Sequence, residues 1–79
     1  MSWFVSDCIL ENRLIKSSER RQEVHVNAEK ILYYFEDEVR YKGKRYDCIN
    51  VYIEGDDQLY VLMGIEEFTS KVINSTSPV

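Results

Sequence analysis

The stretch from Tyr46 to Met63, YDCINVYIEGDDQLYVLM, constrains this chain more than any other. Ile49, Val51 and Ile53 alternate with polar or amphipathic neighbours, and Leu59, Val61 and Met63 do the same further on. Successive side chains on a strand point to opposite faces, so each run offers one apolar face. Two such runs joined by Glu54-Gly55-Asp56-Asp57-Gln58 predict a β-hairpin. Gly55 supplies the positive φ that the turn needs, and the Asp pair suits side-chain hydrogen bonds to turn backbone.

The remaining segments are read around that hairpin. Ser2 to Ile15 is apolar-rich and predicts one or two strands, since Val and Ile favour a pleated surface. Phe4, Cys8, Leu10 and Leu14 would share one face; Trp3, Val5, Ile9 and Ile15 would share the other. Ser17 to Arg21 is small, polar and charged and reads as a loop. Gln22 to Asn27 alternates, with Val24 and Val26 inward and Glu23 and His25 outward, as in a short strand. Asn27 to Tyr41 fits two templates. Ala28, Ile31, Leu32, Phe35 and Val39 form a helical stripe with Asn27 as N-cap, yet Ile31-Leu32-Tyr33-Tyr34-Phe35 is rich in strand formers. Lys42-Gly43-Lys44 is a turn under the strand reading and a helix stop under the other. Ile65 to Ile73 predicts a short helix with Ile65, Phe68, Val72 and Ile73 on one side, Glu66 and Glu67 early and Lys71 late, an order that suits the helix dipole. Residues 74–79 are expected to fray. The inner hairpin face is expected to pack on this helix through Phe68 and Val72.

The chain has 79 residues, of which 44% are hydrophobic and 13% aromatic, which predicts a single folded domain over 1–79 rather than a disordered segment. A domain of this size is marginal in burial, so a homodimer is a natural expectation. The formal net charge of -4 disfavours nucleic acid and anionic membranes, whose affinity rests on cationic contacts, and suits a basic protein partner. Cys8 and Cys48 make neither a disulfide framework nor, with the lone His25, a zinc spacing. They read as reduced thiols of a cytoplasmic protein. The N-terminal MSWFVSDCIL lacks a basic n-region and is broken by Asp7, so neither a signal peptide nor a membrane span is expected.

No nucleophile motif, phosphate loop or metal-protease motif occurs, and no enzyme activity, cofactor or metal is expected. Glu54-Gly55-Asp56-Asp57 lacks the spacing of a calcium loop, and turn chemistry accounts for it. Of the six tyrosines, Tyr46, Tyr52 and Tyr60 are expected on the hairpin face opposite the core. With Glu36, Asp37, Glu38, Glu54, Asp56 and Asp57 they are the candidate partner-binding residues, because aromatics are enriched at interface centres. Arg20 and Arg21 are the candidates for an alternative anion site.

The pieces EVHVNAEKILYYFE and VYIEGDDQLYVLMGIEEFTSKVIN resemble the small FlbD/SwrD-type bacterial proteins, whose like also occur in phage and mobile-element genomes. Val26 to Ile31, Ile65 to Phe68 and Lys71 to Ile73 carry the resemblance. It implies a curled antiparallel sheet with a C-terminal helix, Leu32 to Glu36 as strand, and no catalytic residues. The chain departs from that pattern in the longer loop at Ser17 to Arg21 and the longer Glu36 to Asp47.

The expected fold is α+β: a small curled antiparallel sheet of four to five strands, half-barrel-like, with a short C-terminal helix. The expected function is a non-enzymatic, acidic protein-interaction module. Its sharper form is a phage-encoded inhibitor of a host nucleic-acid-binding or defence protein. The alternatives are a small-ligand or nucleotide sponge and, by analogy alone, a motility-associated factor.

Overall fold

A computed structural model describes residues 3–11, 19–55 and 57–76. The strands are β1 (Trp3–Glu11), β2 (Glu19–Asn27), β3 (Ile31–Tyr41), β4 (Lys44–Ile53) and β5 (Asp57–Val61), followed by the helix α1 (Ile65–Thr76). They form one open sheet in the order β2-β1-β5-β4-β3, every neighbouring pair antiparallel. Two long hairpins, β1-β2 and β3-β4, are thus joined within the sheet by the five-residue β5. Val61 is the hinge of that arrangement, facing Cys8 of β1 on one side and Ile49 of β4 on the other.

The helix covers one face of the sheet. Phe4, Cys8, Val26, Ile49, Val51 and Val61 are buried there beneath Phe68, the fully buried residue of α1. Ile53, Leu59 and Met63 pack around them, so the inner face of the β4-β5 hairpin has the composition read from its alternation. The Phe68 ring meets Phe4 and Tyr34 edge-on, with centroids 5.7 and 4.7 Å away. The Tyr34 hydroxyl lies 3.2 Å from Thr69 Oγ1, which ties β3 to the middle of the helix. Gly64 starts the helix by accepting a hydrogen bond from the Phe68 N–H at 2.9 Å.

The segment that fitted two templates is a strand preceded by a single 3-10 turn, Ala28–Lys30. Asn27 does cap, but it caps that turn, accepting the Glu29 N–H on Oδ1 at 3.1 Å. The strand wins because Lys42 and Gly43 both take positive φ, 51° and 78°. A two-residue turn of that hand matches the twist of paired strands and lays Tyr41 beside Lys44. Pairing then runs back to Ile31 opposite Ile53, with a register shift between Ile31 and Tyr33 that leaves Leu32 as the extra residue. The residues of the helical stripe do not share a face: Leu32 and Phe35 are exposed.

Two boundaries and one facing differ from expectation. β2 begins at Glu19, so Arg20 and Arg21 sit in a ladder opposite Leu10 and Ile9 rather than in a loop. The helix runs through Thr76, so residues 74–76 belong to it and Lys71 lies at mid-helix, with no basic residue in the last turn. Ile73 points outward, away from the face shared by Ile65, Phe68 and Val72. Leu14, Ile15, Lys16, Ser17 and Ser18 lie outside the described residues. No helix among the described residues is long and apolar enough to cross a membrane.

Phe68 anchors the helix while Ile73 does not, and the two positions should separate in stability. Phe68→Ala should cost about 3–5 kcal/mol in chemical denaturation, and Ile73→Ser no more than about 0.5 kcal/mol.

Candidate functional site

The sheet face away from α1 has no covering layer among the described residues, and the residues on it divide into a buried centre and exposed ends. Ile9, Cys48 and Asn50 are buried at the centre. Asn50 holds a line of polar contacts across three strands. Its amide donates to Asp37 Oδ2 at 3.1 Å, and its carbonyl accepts from Gln58 Nε2 at 2.8 Å. Gln58 Nε2 also lies 3.4 Å from the Tyr60 hydroxyl. Every buried side-chain nitrogen and oxygen among the described residues has a partner, so this centre is structural and satisfied.

Tyr46, Tyr52 and Tyr60 lie on this face, as their alternation with Ile49, Val51, Leu59 and Val61 requires, but each is half-buried by contacts within the chain. Tyr52 is stacked between Tyr33, 4.6 Å away, and Phe35, 6.1 Å away. Tyr46 carries the Arg21 guanidinium 5.4 Å from its ring centroid. The exposed aromatic surface is instead Tyr33 and Phe35 on β3, 55% and 44% exposed, with Trp3 and Val5 on β1. Tyr33 and Phe35 were legible in principle. Counting back from a two-residue turn at Lys42-Gly43 places Tyr33 opposite Tyr52 as soon as the segment is taken as a strand.

Arg21 is committed. Its Nη2 and Nε donate to the same Asp7 Oδ2 at 2.7 and 2.8 Å, and the hydrogen bond and charge of Asp7 hold its pKa above the ordinary value. Arg20 faces the other side of β2, opposite Leu10. The anion site expected of this pair is therefore not assembled, because neighbours on a strand point to opposite faces.

The acidic residues separate into two groups. Glu36 and Glu38 converge with Asp47, which the sequence reading passed over, on a groove of about 510 Å3 on the helix side of the sheet; Asp37 borders it, but its carboxylate is bound by Asn50 on the opposite face. The start of α1 closes its other side, with Met63, Gly64 and Ile65 against Ile49. No basic side chain lines this groove. Glu38 reaches Arg45 at 3.6 Å along its margin, an exposed pair. Glu54 lies elsewhere: it sits beyond the other end of β4 and pairs with Lys30 at 3.4 Å. Asp57 starts β5 opposite Ile53, and Asp56 lies outside the described residues. Among the described residues, no group of three or more His, Cys, Asp or Glu side chains is placed to hold a metal ion.

Both cysteines are buried and free, Cys8 on the helix side and Cys48 on the other. Burial, then the Asp7 charge, pushes the Cys8 thiol up to about 12. Burial, then Asp37, Asp47 and Glu38, pushes Cys48 up to about 11. No family model matches the chain, and neither a curated protein nor a solved structure matches it.

The raised thiol pKa values make folding pH-dependent in one direction. Unfolded thiols ionise near pH ~8.5 while the folded ones keep their protons, so their contribution is intact below that pH and is lost as pH rises toward the folded values. The melting midpoint should fall above about pH 9, and replacing both residues by Ala should flatten that alkaline slope. Both thiols should stay unmodified by a thiol reagent at pH ~8 until the chain unfolds.

Proposed function

We propose that this chain is a non-enzymatic, acidic protein-interaction module that takes a basic protein partner. The observation that carries the reading is the convergence of Glu36, Glu38 and Asp47 on one groove on the helix side of the sheet with no lining cation; the exposed rings of Tyr33 and Phe35 lie on the opposite face. Carboxylates bind guanidinium groups through charge-assisted hydrogen bonds, and an aromatic face adds stacking where one is adjacent. The chain's own Arg21 is held in this way, by Asp7 and the Tyr46 ring.

In its sharper form the module is a phage-encoded inhibitor, and the groove carboxylates stand in for the phosphates of a nucleic acid that the host protein would otherwise bind. It works in the cytoplasm with its cysteines reduced. Its sheet has the curl of a half-barrel, for which the contact between Arg21 of β2 and Tyr46 of β4, across two intervening strands, is the support.

A photo-crosslinking residue at position 33 should capture the partner, and the purified pair can then be titrated. Raising salt from about 50 to about 300 mM should weaken the complex roughly tenfold or more. The triple change Glu36→Gln, Glu38→Gln, Asp47→Asn should weaken it by a similar factor, about 1.4 kcal/mol. Tyr33→Ser with Phe35→Ser should weaken it without unfolding the protein. An affinity indifferent to both salt and the triple change would rule out the charge-based reading.

A further inference from the structure

The sheet contains a slot one strand wide. Val61 closes β5, pairing with Cys8 and with Ile49. The Leu62 N–H still donates to the Asp7 carbonyl at 2.9 Å, and the chain then leaves the sheet through Met63 and Gly64 to start α1. The two strands that flank β5 do not stop there. β1 continues back through Ser6 to Trp3, and β4 through Asp47 to Lys44. The common partner Val61 sets these two stretches level with each other. Among the described residues, neither has a strand partner on the side that faces the other. Neighbouring strands lie about 4.8 Å apart, so the walls of a slot that lacks one strand stand roughly 9–10 Å apart.

The slot has two unlike sides. Away from the helix, Asp7, Arg21 and Tyr46 span it from β1 to β4, with Trp3 and Val5 exposed on its β1 wall. Toward the helix lies the acidic groove, with Asp47 on the wall itself and Glu36 and Glu38 behind it.

We propose that this slot takes an extended basic segment of the partner as an added strand, antiparallel to both β1 and β4. The occupant follows from the walls. Two unpaired backbone edges call for a chain in extended form, which can hydrogen-bond on both sides as β5 does above it. Side chains of the added strand alternate between the two faces. Every second one meets the carboxylates and is Lys or Arg; those between meet Trp3 and Val5 and are apolar. About four residues fill the slot, given ~3.4 Å per residue along a wall of that length. The choice of a basic occupant rests on the acidic-module reading above, whereas the slot rests on the strand pairing alone.

The test uses the whole protein with the peptide acetyl-Lys-Val-Lys-Val-Lys-Val-amide, a copy N-methylated on alternate backbone amides, and a copy with Glu for Lys. Binding is followed by amide hydrogen exchange. The Lys peptide should slow exchange of amides within Trp3–Ser6 and Lys44–Asp47 at least tenfold, the N-methylated copy should bind at least tenfold more weakly, and the Glu copy should not bind. Equal binding of the N-methylated copy would overturn strand addition while leaving the acidic-module reading in place. Failure of the Lys peptide to bind at low salt would overturn the slot proposal, and the partner titration above would then judge the wider reading separately. Slow exchange along both walls in the protein alone, whether or not it depends on concentration, would mean that the chain or a second copy already fills the slot, and would overturn the proposal as well.

Discussion

The brevity of β5 governs this structure. Five residues join two hairpins of nine to eleven residues per strand, and the join is made at one end of those strands. Val61 pairs with both neighbours, and its side chain points to the covered face and is fully buried beneath the helix. The chain then has to leave the sheet at once, because the apolar face of α1 must return over the core that Val61 has just closed. A longer β5 would have zipped the two hairpins together and carried the helix off that core. The short one leaves the sheet sound at one end and divided at the other.

Side chains do at the divided end what backbone pairing does at the joined end. Arg21 crosses from β2 to reach Asp7 on β1 and Tyr46 on β4. Each contact is partly exposed and individually modest. Together they hold β4 near β1 on one face only. The opposite face of that opening is lined by carboxylates, and the helix start, with Glu66 and Glu67 in its first turn, adds no positive side chain to offset them. A groove lined by carboxylates and two open strand edges, with the exposed Trp3 on one of them, therefore lie at one end of a small molecule. That coincidence gives the interaction reading its weight.

Much of the fold was legible in the residues because it depends on local periodicity. The Tyr46 to Met63 hairpin, the inward pair Val24 and Val26, and the Phe68 and Val72 face of the helix follow from alternation or from helical spacing, and each is found where the pattern placed it. The candidate site was less legible. Glu36, Asp37 and Glu38 were singled out as a run, but on a strand a run splits across two faces, and their companion Asp47 is brought in by pairing. Glu54 looked equivalent in sequence and lies at the wrong end of β4. Tyr46, Tyr52 and Tyr60 were placed on the correct face, yet periodicity reports direction and not cover, and all three are half-buried, Tyr46 and Tyr52 against neighbours from other strands.

The sequence by itself determined the type of most elements, the apolar face of each, and the negative charge, since all of these are set by residues within a few positions of one another. Only the tertiary structure decided that Ile31 to Tyr41 is a strand, because its pattern satisfied both templates and the contact with β4 broke the tie. The same holds for the order β2-β1-β5-β4-β3, and for the slot that order leaves between Trp3–Ser6 and Lys44–Asp47. Those features depend on which strands meet, a matter of long-range closure that no local period records.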